Sequence, residues 1–88
     1  MGTTLTEDVL ATVVADKVVD ARGTGCPGPL LEAKKAMPSV AVGAVLEVWS
    51  SDPQTKTDVG SWAEKVGHEF LGFLPAAGYD RVFVRRMK

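Results

Sequence analysis

Lys17-Val18-Val19-Asp20-Ala21-Arg22-Gly23-Thr24-Gly25-Cys26-Pro27-Gly28-Pro29-Leu30-Leu31-Glu32-Ala33-Lys34-Lys35-Ala36-Met37 passes from strand to loop to helix within 21 residues. The β-branched Val18 and Val19 before a turn read as a short strand over 17–20. Gly23 and Gly25 make 21–25 a loop. Pro27 and Pro29 suit a helix start, where a missing backbone N–H costs nothing. Leu30, Ala33, Lys34 and Met37 then recur at helical spacing, Glu32 and Lys35 form an i,i+3 pair, and Pro38 ends the helix predicted over 27–37.

Working outward, 44–50 reads as a second strand, with Leu46, Val48 and Ser50 on one face and Val45, Glu47 and Trp49 on the other. Ser51-Asp52-Pro53 signals a helix start, with Asp52 as N-cap and Pro53 in the first turn. Val59, Trp62, Ala63 and Val66 form its apolar stripe and Gly67 its stop, while Gly60 argues for a start nearer Asp58. Strands over 68–74 and 79–87 follow, joined by Pro75-Ala76-Ala77-Gly78 as a hairpin loop. The order β-α-β-α-β-β predicts an α/β chain of α+β type. Its mixed four-stranded sheet carries two helices on one face and leaves the other partly open. Residues 1–16 read as a poorly ordered lead-in with at most one turn of helix, and 17–88 as a single domain.

The chain has 88 residues, 45% of them hydrophobic, which suits one small core. A formal net charge of −1 gives no general argument for nucleic acid or membrane binding. No apolar run approaches the roughly 20 residues of a membrane span. Glu7 and Asp8 precede the first apolar patch, against a secretory signal. Met1-Gly2-Thr3-Thr4-Leu5-Thr6 fits a loose myristoylation pattern, but that pattern is short and common. Cys26 is the only cysteine and His68 the only histidine, which excludes an internal disulfide and makes a zinc site a poor expectation. A reducing cytoplasm is the simplest setting.

Cys26 lies at the predicted start of a helix, where the macrodipole and free N–H groups favour a thiolate. Position 29 is Pro, so no Cys-x-x-Cys dithiol exists, and one distant His is a weak start for a cysteine protease. A relay that carries sulfur as a persulfide needs one nucleophilic cysteine, and a second would discharge it. The N–H groups of Gly28 and Leu30 are expected to face the sulfur, while Pro27 and Pro29 stiffen the turn. The bland alternative is a cysteine packed as a small hydrophobe. A thiol redox sensor is a third reading, marked by a stable sulfenate or intermolecular disulfide.

The segment 20–36 resembles the signature of the TusA/SirA (YedF-like) family of sulfur-carrier proteins: a strand, Asp-x-x-Gly-x-x-Cys-Pro-x-Pro, then a helix with basic residues. Ser51-Asp52-Pro53 and Gly67-His68-Glu69-Phe70-Leu71 are similar to later family landmarks, so the resemblance covers about 17–88. It implies a two-layer sandwich like the C-terminal domain of translation initiation factor three, and it implies a persulfide on Cys26 with no other cofactor. It also implies a cysteine desulfurase or rhodanese as donor and a DsrE-like or other sulfur-acceptor protein downstream. Gly25 stands where some tRNA-linked members carry a basic residue, and the lead-in is longer than usual. Both tilt the reading toward sulfur oxidation or trafficking, with tRNA thiolation second.

Among other residues, Arg22 is either a source of positive potential for the thiolate or a loop ion pair with Asp20. Lys34, Lys35 and Lys56 are candidates for a docking surface, against the plainer reading of solvated helix faces. Trp49 belongs either to a partner surface or beneath the lead-in. Arg81, Arg85, Arg86 and Lys88 raise RNA binding as a rival function, but Phe83 is the one aromatic among them. A non-catalytic regulatory or RNA-binding module is therefore the alternative class. The sulfur-carrier reading expects a monomer that docks transiently.

Overall fold

A computed structural model describes residues 7–25 and 28–88. Cys26 and Pro27, the centre of the predicted motif, lie outside the described residues, as do residues 1–6. The elements are α1 (Glu7–Leu10), β1 (Lys17–Asp20), α2 (Gly28–Ala36) with a 3-10 turn over Met37–Ser39, β2 (Val45–Ser50), α3 (Thr55–Val66), β3 (Glu69–Ala76) and β4 (Tyr79–Arg85). From β1 onward this is the expected order.

The sheet runs β1-β2-β4-β3. β1 is parallel to β2, and β4 is antiparallel to both β2 and β3. β4 thus inserts between β2 and β3, which makes the sheet mixed. Pairing register explains the two faces. Leu46, Val48, Val82 and Val84 point toward the helices and join Ala33, Ala36, Met37, Val59 and Ala63 in the main core. The alternate residues Val45 and Phe83 point the other way, with Leu71 and Leu74.

That second face is partly covered. Leu10 of α1 is 1% exposed and seats among Val45, Leu71, Leu74 and Phe83. Asp16 ties the following segment to β2: its N–H donates to the Val45 carbonyl, and its carboxylate accepts from the Val45 N–H, each at 2.9 Å.

Several boundaries differ from the sequence expectation. α3 begins at Thr55, neither at Pro53 nor near Asp58, and runs through Gly60. The Asp52 carboxylate accepts from the Gln54 N–H at 2.9 Å, and its carbonyl accepts from the Thr55 N–H at 3.1 Å. Asp52 therefore closes a turn before the helix rather than capping it. Phe70 of β3 packs against the side of the helix at Gly60. Val66, expected in the apolar stripe, is 40% exposed because the helix is ending there. Gly67 stops it in the left-handed conformation at φ 87°, and the His68 N–H closes the cap on the Ala63 carbonyl at 2.8 Å. Pro75 and Ala76 belong to β3, so Ala77-Gly78 alone turns the hairpin. Pro38 lies inside the 3-10 turn that ends α2.

Candidate functional site

The loop 21–25 leaves the C-terminal end of β1 and leads toward α2. β1 pairs in parallel with β2, so Asp20 lies opposite Trp49. The loop is tied down nearly residue by residue. The Ala21 N–H donates to the Trp49 carbonyl at 2.9 Å, and the Gly23 N–H to the Ser51 Oγ at 2.9 Å. The Thr24 N–H donates to the Ala21 carbonyl at 3.3 Å. Beyond Cys26 and Pro27, the Gly28 N–H donates to the Gly25 carbonyl at 2.7 Å. The Gly28 N–H, expected to face the sulfur, donates within this turn. Gly28 also has a steric role, since a Cβ there would collide with the Thr24 side chain. Pro29 is buried, and Leu30 packs against the main core.

Arg22 does not stand as an unpaired positive charge beside the thiol position. Its Nε and one terminal nitrogen grip both Asp20 carboxylate oxygens at 2.9 and 2.8 Å, and the Asp20 carboxylate also accepts from the Arg22 N–H at 3.1 Å. These bonds hold the Asp20 carboxyl down at about 2 and push the Arg22 guanidinium up. The guanidinium carbon lies over two rings, 4.9 Å from the centre of Trp49 and 4.8 Å from that of Tyr79. The rings are themselves 5.4 Å apart. Trp49 therefore carries Arg22 and Tyr79 against its ring. Its Nε1 donates to Glu47 at 2.5 Å, and Glu47 also accepts from Arg81 Nε at 2.7 Å.

Sequence reasoning passed over Tyr79 and Ser51. Trp49 pairs with Arg81, so Tyr79, two residues along β4, is its diagonal neighbour on the same face. That register depends on β4 lying beside β2, which local sequence does not reveal.

The lysines separate. Lys34 and Lys35 border a shallow depression with Gly28, Leu31 and Glu32, and Lys35 pairs loosely with Glu32 at 3.5 Å. Leu31 is half exposed there. Lys56 lies in a different groove, between α3 and β3, over the Phe73 ring, with its Nζ donating to the Pro53 carbonyl at 2.7 Å and 3.4 Å from Asp80. His68 borders the same groove. It meets Trp62 edge-on at 5.7 Å, and its Nδ1 accepts from the Met87 N–H at 3.1 Å. Burial, then the charges of Arg86 and Lys88, lower its pKa. The His68 contacts are with Trp62 and Met87 rather than with the loop 21–25.

The basic C-terminus is largely engaged. Arg81 binds Glu47, Arg85 binds Glu69 at 2.9 Å, and Arg86 donates to the Val40 carbonyl at 2.7 Å. Phe83 is fully buried beneath Arg81. Among the described residues no cluster of three or more potential metal ligands occurs, and no helix is long and apolar enough to cross a membrane.

Residues 17–86 match the family described as Sulfurtransferase TusA. The chain is 45% identical over 71 residues to an Archaeoglobus fulgidus protein named as a candidate sulfur carrier, covering 81% of this chain and 97% of that one. It is 32% identical over 77 residues to the sulfur carrier protein TusA of Pseudomonas entomophila, covering 88% and 96%. The crystal structure of a SirA-like protein from Desulfitobacterium hafniense superposes with a TM-score of 0.71 at 26% identity, covering 82% of this chain and 99% of that one.

Proposed function

Because the chain belongs to the TusA sulfurtransferase family, we propose that it is a sulfur carrier whose Cys26 holds the transferred atom as a persulfide. The observation that carries the reading is the family match across 17–86, with the only cysteine of the chain inside it. A cysteine desulfurase or rhodanese supplies the sulfane sulfur. The Cys26 thiolate attacks the outer sulfur of the donor persulfide. A new S–S bond forms on Cys26, the donor S–S bond breaks, and the donor cysteine leaves as a thiolate. An acceptor thiolate, on a DsrE-like or similar protein, repeats the exchange on the outer sulfur. Each step is a displacement with no net oxidation or reduction.

The protein acts as a monomeric cytoplasmic shuttle of transferase character, with no cofactor beyond the carried sulfur. We assign it to sulfur oxidation or intracellular trafficking ahead of tRNA thiolation. Gly25 at the position before the thiol supports this order, as does the internal pairing of Arg81 and Arg85, which leaves a weak phosphate-binding surface.

Intact mass after incubation with a desulfurase and cysteine tests the reading. The expected result is a gain of one sulfur atom that Cys26→Ser abolishes. No gain in the native chain, or an equal gain in the Ser variant, refutes it. RNA binding that is salt-dependent and survives loss of Cys26 would instead favour the alternative module.

A further inference from the structure

We propose that Arg22 is a positioning residue: by forking onto Asp20 while its guanidinium carbon sits over Trp49 and Tyr79, it latches the loop 21–25, the segment that leads to Cys26 in sequence, to the sheet. The inference rests on the reading of Cys26 as the sulfur-bearing residue.

The geometry separates this role from two simpler ones. An exposed ion pair by itself contributes little to stability, and the Arg22 and Asp20 side chains are 44% and 49% exposed. A pair valued for stability alone needs neither the fork nor the rings. Nor does Arg22 act as a bare charge. Its guanidinium is paired with the Asp20 carboxylate at 2.8 Å, so the two charges offset each other. What remains is shape. A guanidinium is planar and offers a rigid fork at its edge and a face that stacks, so one side chain engages three partners at once.

Those partners come from different parts of the chain. Asp20 ends β1, Trp49 lies near the end of β2, and Tyr79 opens β4. The two ring centres and the guanidinium carbon form a triangle with sides of 4.9, 4.8 and 5.4 Å. Trp49 holds the loop twice, since its carbonyl takes the Ala21 N–H while its ring supports Arg22. Ser51 holds Gly23 from the same strand end. A five-residue loop with two glycines has much conformational entropy to lose. The latch sets that loop before any partner arrives. A carrier must bring its sulfur within reach of a residue on another protein, where an error of about 1 Å can slow reaction about a hundredfold.

The test uses Arg22→Lys, Arg22→Gln and Tyr79→Leu in the full chain. Arg22→Lys keeps the charge and loses the fork and the plane. Three quantities are read: the rate of sulfur uptake from a desulfurase, the pKa of Cys26 from the pH dependence of alkylation, and amide hydrogen exchange at residues 21–25. The latch predicts that Arg22→Lys and Arg22→Gln slow uptake alike, by about tenfold. It also predicts faster exchange across the loop, an unchanged thiol pKa, and an Arg22→Lys/Tyr79→Leu double variant no slower than the worse single one. Native uptake and exchange in Arg22→Lys would overturn it. A thiol pKa raised by Gln and restored by Lys would overturn it too, in favour of a charge role. Cys26→Ser separates the two proposals. If that variant still takes up sulfur, the carrier reading fails, and the exchange data alone judge the latch. Should all three variants unfold, Trp49→Phe, which keeps a ring under Arg22, must retain slow exchange, and rapid exchange there refutes the latch.

Discussion

Glu47 is a carboxylate placed on a central strand, and the cost of exposing that choice can be worked out. Its side chain is 4% exposed. It accepts from Arg81 Nε at 2.7 Å, from a second Arg81 nitrogen at 3.4 Å, and from Trp49 Nε1 at 2.5 Å. Replacing Arg81 by Met removes two donors and leaves a buried charge with the indole alone. Fully buried pairs broken this way lose about 3–5 kcal/mol. The Arg81 side chain is 35% exposed, so water can reach part of the vacated space. That lowers the expected loss for Arg81→Met to about 2–3 kcal/mol.

Glu47→Met behaves differently. The freed guanidinium can turn to solvent, and the main cost is the unpaired Trp49 N–H, about 1 kcal/mol. The double variant replaces the pair by two apolar side chains of similar length and should lie within about 1 kcal/mol of the native chain. A domain of this size has only about 4–13 kcal/mol in total, so these differences are large. Urea unfolding of all four proteins, compared at equal m-values, measures them. The reasoning is refuted if Arg81→Met costs no more than Glu47→Met, or if the double variant loses the sum of the two.

Two further outcomes follow from the fold. Leu10→Ala should destabilise the domain by about 2–4 kcal/mol in urea, because Leu10 seals the second face of the sheet; a loss below about 0.5 kcal/mol would mean that the lead-in contributes no packing. His68 titrates below its ordinary 6.5 in the folded chain, so the unfolded chain binds the proton first as pH falls. Its contribution is therefore complete above 6.5 and disappears as pH drops through the lower folded value, and His68→Gln should flatten that part of a stability–pH profile while leaving alkylation of Cys26 unchanged.

Much of the fold is legible locally because its determinants are local. The Val18-Val19 pair, the stop at Gly67 and the period-two alternation of β2 each rest on neighbours within a few residues. The alternation correctly separates Leu46 and Val48 from Val45 and Glu47. Local signals failed where the competing partner was remote. Gly60 did not delay α3, because Phe70 packs against it from the following strand. Residues 7–16 carry little periodicity, yet Leu10 is buried, since the surface it covers is assembled from three strands distant in sequence.

The candidate site divides in the same way. The sequence alone determined the family, the position of the only cysteine and the prolines around it, because these are facts of residue identity and spacing. The tertiary structure alone decided what Arg22 touches. Its ion pair with Asp20 is a local matter of two residues. Its two aromatic supports exist because β4 enters the sheet beside β2 and brings Tyr79 diagonally next to Trp49. Strand order follows from burying both faces of the sheet together, and no window of sequence contains that balance. It set a charged side chain of the loop against two rings of the sheet.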